Sequence, residues 1–488
     1  MSLGLSLASA LLLILLFPGF NLTWLAPIAL APLLVACARE RSWKHRWFYG
    51  WAAGAVFWCG VCPWIEFVME VHGNMGRAGG WGTFVLFGLY KGLHMGVFAT
   101  LAGFLMPRWW AIPSIAALWT GIERTHGFFG FAWLGLGNSG IDMPLPMRLA
   151  PITGVYGLSF VFAMLACTVA LIFVRRPRRE FLWLAALLVL LALPRAPRPE
   201  TGSRRALLVQ PNIDTEMQWT EDNLRDLEQR MALLSRTSGA DVILWPEVPA
   251  PFYLNEAAFR DYTAHVAQTA QTPLLFGAVG FTPQKEPLNS AEMLDPSGRV
   301  VDRYDKINLV PFGEFIPPLF GWVNKITKEI GDFVPGERVV VFPAGEHKLG
   351  AFICYESVFP DLVRQFTHSG AEVLVNLSND GYFGNSAAHA QHLEIVRMRA
   401  AENRRWILRA TNDGISASID PRGRVRERMP PFTQTAAMMS FDYESAQTPY
   451  TSYGDWFAWL CAIVAIGLLA LAVFRTKRSS PTATNIKA

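Results

Sequence analysis

The spacing of apolar and polar positions divides the chain of 488 residues into three parts. Residues 1–195 are almost continuously apolar, residues 196–454 alternate as in an ordinary soluble domain, and residues 455–474 are apolar again. Because a bilayer core requires about 20 apolar residues per helix, the pattern predicts seven transmembrane helices, an inserted domain and one C-terminal transmembrane helix. Residues 475–488 then form a tail beyond the last helix.

Eight apolar segments are candidates for these helices, and together they predict a polytopic α-helical membrane bundle. Their approximate limits are 4–20, 23–38, 47–69, 81–106, 109–123, 149–174, 180–194 and 455–474. The fifth and seventh are short, and a bilayer accommodates short spans by thinning locally. The first segment has no basic leader and runs into the second through Pro18-Gly19, which favours half of a helical hairpin over a cleaved signal peptide.

Basic residues in three short loops predict the orientation of the bundle. They are Arg39, Arg41, Lys44, His45 and Arg46 after the second segment, Arg175, Arg176, Arg178 and Arg179 after the sixth, and Arg475, Lys477 and Arg478 after the eighth. Cytoplasmic loops are enriched in Lys and Arg, and all three clusters fall on one side if the N-terminus starts there. We therefore predict a membrane protein with cytoplasmic termini and with its domain 196–454 outside the cytoplasm; the resemblance described below implies that this membrane is the inner membrane and that the domain is periplasmic.

Five ionisable residues interrupt the apolar segments or flank them. They are Glu66, Glu70, Lys91, His94 and Glu123. A charge within the bilayer is costly unless it faces the bundle interior or reaches the interface. Two interpretations stay open, namely interfacial anchoring by long side chains and a polar cleft for a lipid headgroup.

Composition excludes several classes of function. The chain is 52% hydrophobic and 17% charged, its formal net charge is +4, and it has no long run of Lys and Arg, so we do not expect nucleic-acid binding. His389 and His392 lie three residues apart on a predicted helix without a third ligand nearby, which favours helix-surface histidines over a metal site. We predict no cofactor and a monomer.

Six cysteines are present, and one of them is unusual. Five lie in apolar segments, where a thiol usually packs as a small hydrophobe, and this holds for the Cys59-x-x-Cys62 pair as well. Cys354 is the only cysteine of the domain 196–454, which we expect to face an oxidising compartment. Because thiols in an oxidising compartment normally pair, a single retained thiol indicates nucleophilic chemistry.

Residues 196–454 alternate strand-like and helix-like segments, which predicts a layered α/β domain. Short apolar runs such as Asp241–Trp245 and Leu349–Cys354 predict buried strands, and Asp295-Pro296-Ser297-Gly298 predicts a hairpin turn. Reactive residues follow three of the strands: Glu247 in Leu244-Trp245-Pro246-Glu247, Lys306 in Tyr304-Asp305-Lys306, and Cys354 in Phe352-Ile353-Cys354-Tyr355-Glu356. Ends of strands are where α/β folds place their sites, although each motif alone is a weak signal.

Together these three residues, in this order, resemble the carbon–nitrogen hydrolase (nitrilase) superfamily. The membrane bundle and two further motifs, Val310-Pro311-Phe312-Gly313-Glu314 and Ser378-Asn379-Asp380-Gly381-Tyr382-Phe383-Gly384, narrow the resemblance to the apolipoprotein N-acyltransferases. The resemblance spans essentially the whole chain. It implies an αββα sandwich inserted between the seventh and eighth of eight membrane helices.

The resemblance also implies roles for individual residues. Cys354 matches the nucleophile, Glu247 the general base and Lys306 the cation that faces the oxyanion, with the Tyr355 N–H as a second donor. Glu314 and Glu356 match further acidic positions, for which we expect a role in orienting Lys306 and the acceptor amine.

The implied reaction has two steps, because the nucleophile forms a covalent intermediate. Cys354 attacks an acyl ester of a phospholipid, typically phosphatidylethanolamine, and the resulting thioester passes its acyl group to the α-amine of a diacylglyceryl-cysteine on an apolipoprotein. The expected partners are therefore a phospholipid donor, a lipoprotein acceptor and the bilayer.

Four apolar side chains are candidates for substrate contacts. Segment 315–334 is apolar and aromatic, and we expect it to enter the outer leaflet as a lid that carries Phe315, Phe320 and Trp322. Trp219 matches a family position that lines the acyl pocket.

Two other functions compete with acyl transfer. A membrane-bound amidase of the nitrilase type shares the Glu, Lys and Cys residues but releases its product to water. The second alternative is a non-catalytic lipoprotein-binding or transport protein. This interpretation does not explain Glu247, Lys306 and Cys354.

Overall fold

The computed structural model describes residues 1–128, 131–194, 202–237, 239–315 and 333–478. The N-terminal part is helical, as the apolar pattern predicts. Its helices are α1 Ser2–Leu15, α2 Ala31–Arg39, α3 Trp43–Val61, α4 Trp64–Phe67, α5 Gly76–Leu105, α6 Ala111–Arg124, α7 Ala150–Thr153, α8 Val155–Phe173 and α9 Val189–Ala192.

Three helices of the described residues are long and apolar enough to cross a membrane: Gly76–Leu105, Val155–Phe173 and Trp456–Phe474. A fourth candidate is the pair α3 and Trp64–His72, which is bent by 68°. The C-terminal candidate belongs to α15 (Trp456–Arg478), and α15 packs mainly against α6. The structure thus supports membrane helices on both sides of the soluble domain.

Two of the eight predicted segments differ from regular helices. Segment 23–38 contains a short 3-10 helix, Thr23–Leu25, before the nine-residue α2. In segment 180–194, the 3-10 helix Arg178–Leu188 leads into the single turn of α9. A 3-10 helix rises about 2.0 Å per residue instead of 1.5 Å, so a short segment extends further than the same residues would in an α-helix. The count of eight spans stays a prediction.

The soluble domain contains two six-stranded sheets, which confirms the predicted α/β architecture. Its strands are β1 Arg204–Gln210, β2 Val242–Leu244, β3 Leu274–Phe281, β4 Pro287–Leu294, β5 Val300–Asp305, β6 Val341–Ala344, β7 His347–Ile353, β8 Val373–Ser378, β9 Ile407–Thr411, β10 Ala417–Ile419, β11 Val425–Arg428 and β12 Thr435–Phe441. The first sheet has the order β12-β1-β2-β3-β4-β5 and the second β11-β10-β9-β8-β7-β6.

The central strands are parallel, and they are buried because both of their faces are covered. Every residue of β2, β8 and β9 is buried. The sheets contact each other through β1 and β9, while α11 (Ala257–Ala270) packs on β3 and α10 (Glu221–Leu234) contributes Leu227 and Met231 to the same core. On the second sheet, α12 (Pro360–His368) packs on β7 and β8, and α13 (Ala388–Asn403) packs on β9.

Helix α13 joins the soluble domain to the membrane part. It contacts α7, and the short helix α14 (Pro449–Tyr453) also packs against α7. Gln391 Nε2 donates to the carbonyl of Val61 at 2.8 Å, and the Val155 N–H donates to Glu402 Oε1 at 2.8 Å. Helix α13 is therefore packed and hydrogen-bonded against the N-terminal helices.

Candidate active site

The residues that follow three strands lie at the same edge of the soluble domain. Glu247 comes three residues after β2, Lys306 directly follows β5, and Cys354 directly follows β7. Glu247 is 7% exposed, Lys306 1% and Cys354 8%. Two of these strands belong to the first sheet and one to the second, so the group forms only where the sheets meet.

A buried charge cluster surrounds the ammonium group of Lys306. Lys306 Nζ lies 3.0 Å from Glu247 Oε1 and 2.8 Å from Glu314 Oε1. Burial disfavours a charged ammonium, but the Glu247 and Glu314 carboxylates outweigh it and raise the pKa of Lys306 well above its ordinary value. The cation is therefore permanent at physiological pH.

Two neighbours hold the carboxylates of this cluster. Asn289 Nδ2 donates to Glu247 Oε1 at 2.8 Å and to Glu314 Oε1 at 2.6 Å. The backbone N–H of Asn379 donates to Glu247 Oε2 at 2.9 Å. These bonds fix the direction of the Glu247 carboxylate, which is what a positioned general base requires.

Cys354 has an unusual backbone and a neutral thiol. Its φ is +46°, in the left-handed region that few residues other than glycine adopt, and it begins the 3-10 helix Cys354–Val358. Burial and the Glu247 carboxylate raise the pKa of Cys354 well above its ordinary value, against the opposing effect of Lys306. Because the thiolate is the nucleophile, the thiol must lose its proton to a neighbouring base as it attacks.

The two supporting glutamates have different surroundings. Glu314 belongs to the Lys306 cluster, whereas Glu356 is fully buried and accepts from the Tyr304 hydroxyl at 2.6 Å. Glu356 also accepts from the backbone N–H groups of Ile307 at 2.7 Å and Ile353 at 2.7 Å. Burial raises the pKa of Glu356 to about 6, although these donors oppose the shift. Glu356 thus links the backbone after Lys306 to the backbone before Cys354.

Two family models match the chain. The model "Apolipoprotein N-acyltransferase N-terminal domain" matches residues 9–168, and the model "Carbon-nitrogen hydrolase" matches residues 205–448, half of the chain. An apolipoprotein N-acyltransferase of Geobacter metallireducens is 35% identical over 96% of this chain and 94% of its own length. The chain belongs to the apolipoprotein N-acyltransferase family. It is therefore an enzyme of the acyltransferase class.

One further relative matches nearly the whole chain, and one solved structure matches about half of it. The apolipoprotein N-acyltransferase of Nitrosomonas europaea is 31% identical over 95% of this chain and 96% of its own length. The crystal structure of an amidase from Nesterenkonia sp. covers 54% of this chain and 98% of that chain, with 19% identity and a TM-score of 0.40.

The residues predicted to contact substrate do not lie together in the described part of the structure. Phe315 and Tyr355 line a cavity of about 280 Å³ together with apolar side chains that include Leu309 and Phe359. Trp219 is half-buried and packs against the core that α10 and α11 share with the first sheet, so its contact with an acyl chain stays a prediction. The predicted lid is segment 315–334. Its residues 316–332, which include Phe320 and Trp322, lie outside the described residues.

Three buried residues beside the site, Asn289, His389 and His392, could not be assigned from the sequence. Asn289 was not predicted, because a single asparagine within a strand gives no local signal. The interpretation of His389 and His392 as helix-surface residues was wrong, since they are 5% and 0% exposed. Their helix, α13, is covered by the second sheet on one side and by membrane segments on the other, and this burial depends on tertiary packing.

Proposed function

We propose that the chain transfers a fatty acyl group from a phospholipid, typically phosphatidylethanolamine, to the α-amine of a diacylglyceryl-cysteine at the N-terminus of an apolipoprotein. The observation that carries the proposal is the buried Glu247–Lys306–Glu314 cluster beside the Cys354 thiol. Membership in the apolipoprotein N-acyltransferase family supports lipoprotein acylation over the amidase alternative.

In the first step, Glu247 takes the Cys354 proton while Sγ attacks the carbonyl carbon of the phospholipid ester. The negative charge moves to the carbonyl oxygen, where Lys306 and the Tyr355 N–H stabilise it. The ester C–O bond then breaks, and the leaving alkoxide takes the proton from Glu247. A lysophospholipid departs, and the acyl group remains on sulphur as a thioester.

In the second step, the lipoprotein amine attacks the thioester carbon and gives one proton to Glu247. The C–S bond breaks, the amide is released, and the Cys354 thiolate recovers its proton from Glu247. The same base and the same oxyanion donors serve both steps in turn. Because the lysophospholipid leaves before the amine attacks the thioester, the reaction has ping-pong kinetics. Glu314 keeps Lys306 and Asn289 in place throughout.

The proposal includes an arrangement of the whole protein. Eight helices cross the inner membrane, both termini are cytoplasmic, and the soluble domain is an αββα sandwich on the periplasmic side, where the lipoprotein amine is available. The basic loops described above and the apolar helices on both sides of the domain support this arrangement.

Intact-mass analysis of the protein taken from membranes tests this proposal. We expect a mass increment of one fatty acyl group that disappears in Cys354→Ala. With a labelled phospholipid and no acceptor, an acyltransferase retains the label, whereas an amidase loses it quickly to water. A short-lived label, or an unlabelled Cys354, would contradict the acyl-transfer proposal.

A further inference from the structure

His392 is a fully buried histidine whose ring lies against the backbone of the nucleophile. Its Nε2 is 3.1 Å from the carbonyl oxygen of Cys354 and 2.9 Å from the Ser357 hydroxyl. Its Nδ1 lies 3.0 Å from Asp380 Oδ1 and 3.2 Å from Arg409 Nη2. The ring therefore connects a buried ionic group with the main chain of the residue that forms the thioester.

The ionic group behind the ring is held rigidly. Arg409 Nη2 donates to Asp380 Oδ2 at 2.6 Å, and the Ser378 hydroxyl donates to Asp380 Oδ1 at 2.8 Å. Burial would raise the pKa of Asp380, but the Arg409 cation outweighs it and holds this pKa below its ordinary value. Asp380 is therefore a carboxylate, and the side chains around it fix the orientation of the His392 ring.

The bond to Cys354 requires a proton on Nε2, because a carbonyl oxygen only accepts. The neutral ring with its proton on Nε2 meets this condition, since Arg409 then donates to Nδ1. A protonated ring meets it as well and donates to Asp380 from Nδ1. In these two forms Nε2–H donates to the Cys354 carbonyl, whereas a neutral ring with its proton on Nδ1 would donate to Asp380 and accept from Ser357. We take Nε2 as protonated.

The position of this carbonyl decides where the next amide points. A trans peptide is planar, so the carbonyl of Cys354 and the N–H of Tyr355 lie on opposite sides of one rigid unit. Tyr355 also lies in the first turn of a helix, where backbone N–H groups have no partner within the helix. A donor that fixes the carbonyl therefore aims the N–H in the opposite direction.

We propose that His392 is a positioning residue for acyl transfer: by holding the Cys354 carbonyl, it directs the Tyr355 N–H towards the oxyanion. This inference rests on the proposed function, in which that N–H is an oxyanion donor. His392 itself touches neither substrate.

Two reactions of the same thiol separate this role from a general structural one. Alkylation of Cys354 by iodoacetamide forms no oxyanion, whereas thioester formation with labelled phosphatidylethanolamine does. In the full-length protein in detergent–lipid micelles, we expect His392→Leu to slow thioester formation by about 10-fold or more, because a misdirected donor loses part of its effect. Alkylation of the Cys354 peptide, followed by mass spectrometry, should stay nearly unchanged.

Two further variants complete the experiment. His392→Gln retains an N–H donor for the carbonyl and should recover part of the thioester rate. His389→Leu is the matched control, because His389 is a buried histidine of the same helix that bonds the Gly384 carbonyl at 2.7 Å instead of Cys354. We expect His389→Leu to affect thioester formation much less than His392→Leu does.

Three outcomes would overturn the positioning role: an unchanged thioester rate in His392→Leu, equal losses in alkylation and thioester formation, or an equal loss in His389→Leu. These outcomes differ from a failure of the proposed function. If the unsubstituted protein forms no thioester on Cys354 at all, the acyl-transfer proposal itself is wrong.

Discussion

At the scale of single residues, the charges around Cys354 are arranged for proton transfer during the reaction and not for a preformed thiolate. Two carboxylates, Glu247 and Glu314, share one cation, Lys306, so the cluster carries an excess negative charge beside the thiol. This charge and burial keep the thiol protonated. The cation becomes most useful when the carbonyl oxygen acquires its own negative charge in the transition state.

Replacement of Lys306 tests this distribution of charge. Lys306→Met removes the cation that faces the oxyanion and leaves two carboxylates close together, so we expect thioester formation to fall by about 100-fold or more. Lys348→Met is the control, because Lys348 is an exposed lysine of β7, the strand that leads to Cys354. Thioester formation is measured by intact mass against time, and equal rates in the two variants would show that Lys306 is not part of the chemistry.

The pH dependence of Cys354 alkylation tests the effect of Glu247. Since burial and the Glu247 carboxylate raise the pKa of Cys354, alkylation should still be increasing with pH above the ordinary pKa of a thiol, about 8.5. Glu247→Gln removes the negative charge and leaves Lys306 less neutralised, and both changes favour the thiolate. We expect its alkylation profile to move to lower pH, while acyl transfer is lost with the base. A profile that moves to higher pH would contradict the assigned charges.

At the scale of elements, α13 is one of the helices through which the catalytic domain contacts the membrane part. Gln391 Oε1 accepts from the indole N–H of Trp133 at 2.8 Å and of Trp64 at 3.3 Å, and its amide donates to the Val61 carbonyl. His392, the next residue, faces the Cys354 backbone. One turn of helix therefore binds membrane segments on one side and the nucleophile on the other.

Substitution of Gln391 measures how much this contact stabilises the fold. Gln391→Leu leaves two buried indole N–H groups and one carbonyl without their partner, and a buried polar group without a partner costs about 1–3 kcal/mol. We expect a lower thermal midpoint in detergent. Gln268→Leu is the control, since Gln268 is exposed on α11 and its side-chain amide donates to the nearby Ser297 carbonyl. An equal change in both variants would show that the Gln391 contacts contribute little.

At the scale of the whole molecule, the soluble domain is anchored at both of its ends. The chain enters it after α9 and leaves it through α14 into the apolar helix α15. Helix α15 packs on α6, and Arg124 of α6 forms an ion pair with Asp455 at the start of α15. These contacts hold the C-terminal end of the domain against the helical part of the chain.

Labelling of single cysteines in intact cells tests the proposed orientation. Glu221→Cys places a thiol at an exposed position of the soluble domain, where the native side chain is 86% exposed, and Lys44→Cys places one in the first turn of α3, within the basic cluster that follows α2. A membrane-impermeant maleimide should label the first variant in cells with a permeable outer membrane, and the second only after the inner membrane is opened. The unsubstituted protein is the control, and the opposite order of labelling would reverse the proposed topology.

Much of the domain and part of the site could be predicted without tertiary information. The hairpin around Asp295 and the strands before Glu247 and Cys354 were predicted because periodicity and turn residues act over a few positions. The resemblance to the apolipoprotein N-acyltransferases also pointed to Lys306. The shape of the membrane helices was predicted less well, since an apolar run does not distinguish α-helix from the 3-10 helix Arg178–Leu188.

The sequence by itself determined which segments are apolar, which fold into strands and helices, and which side chains carry reactive groups, because these properties are local. Only the tertiary structure decided which groups meet. Asn289 reaches Glu247 across 42 residues, and Gln391 reaches Val61 across 330. His389 and His392 were interpreted as helix-surface residues because no third metal ligand lies nearby in the sequence, and they are buried because each finds its partners on other elements. A hydrogen bond between distant segments depends on how sheets and helices pack, so a local pattern of residues does not predict it.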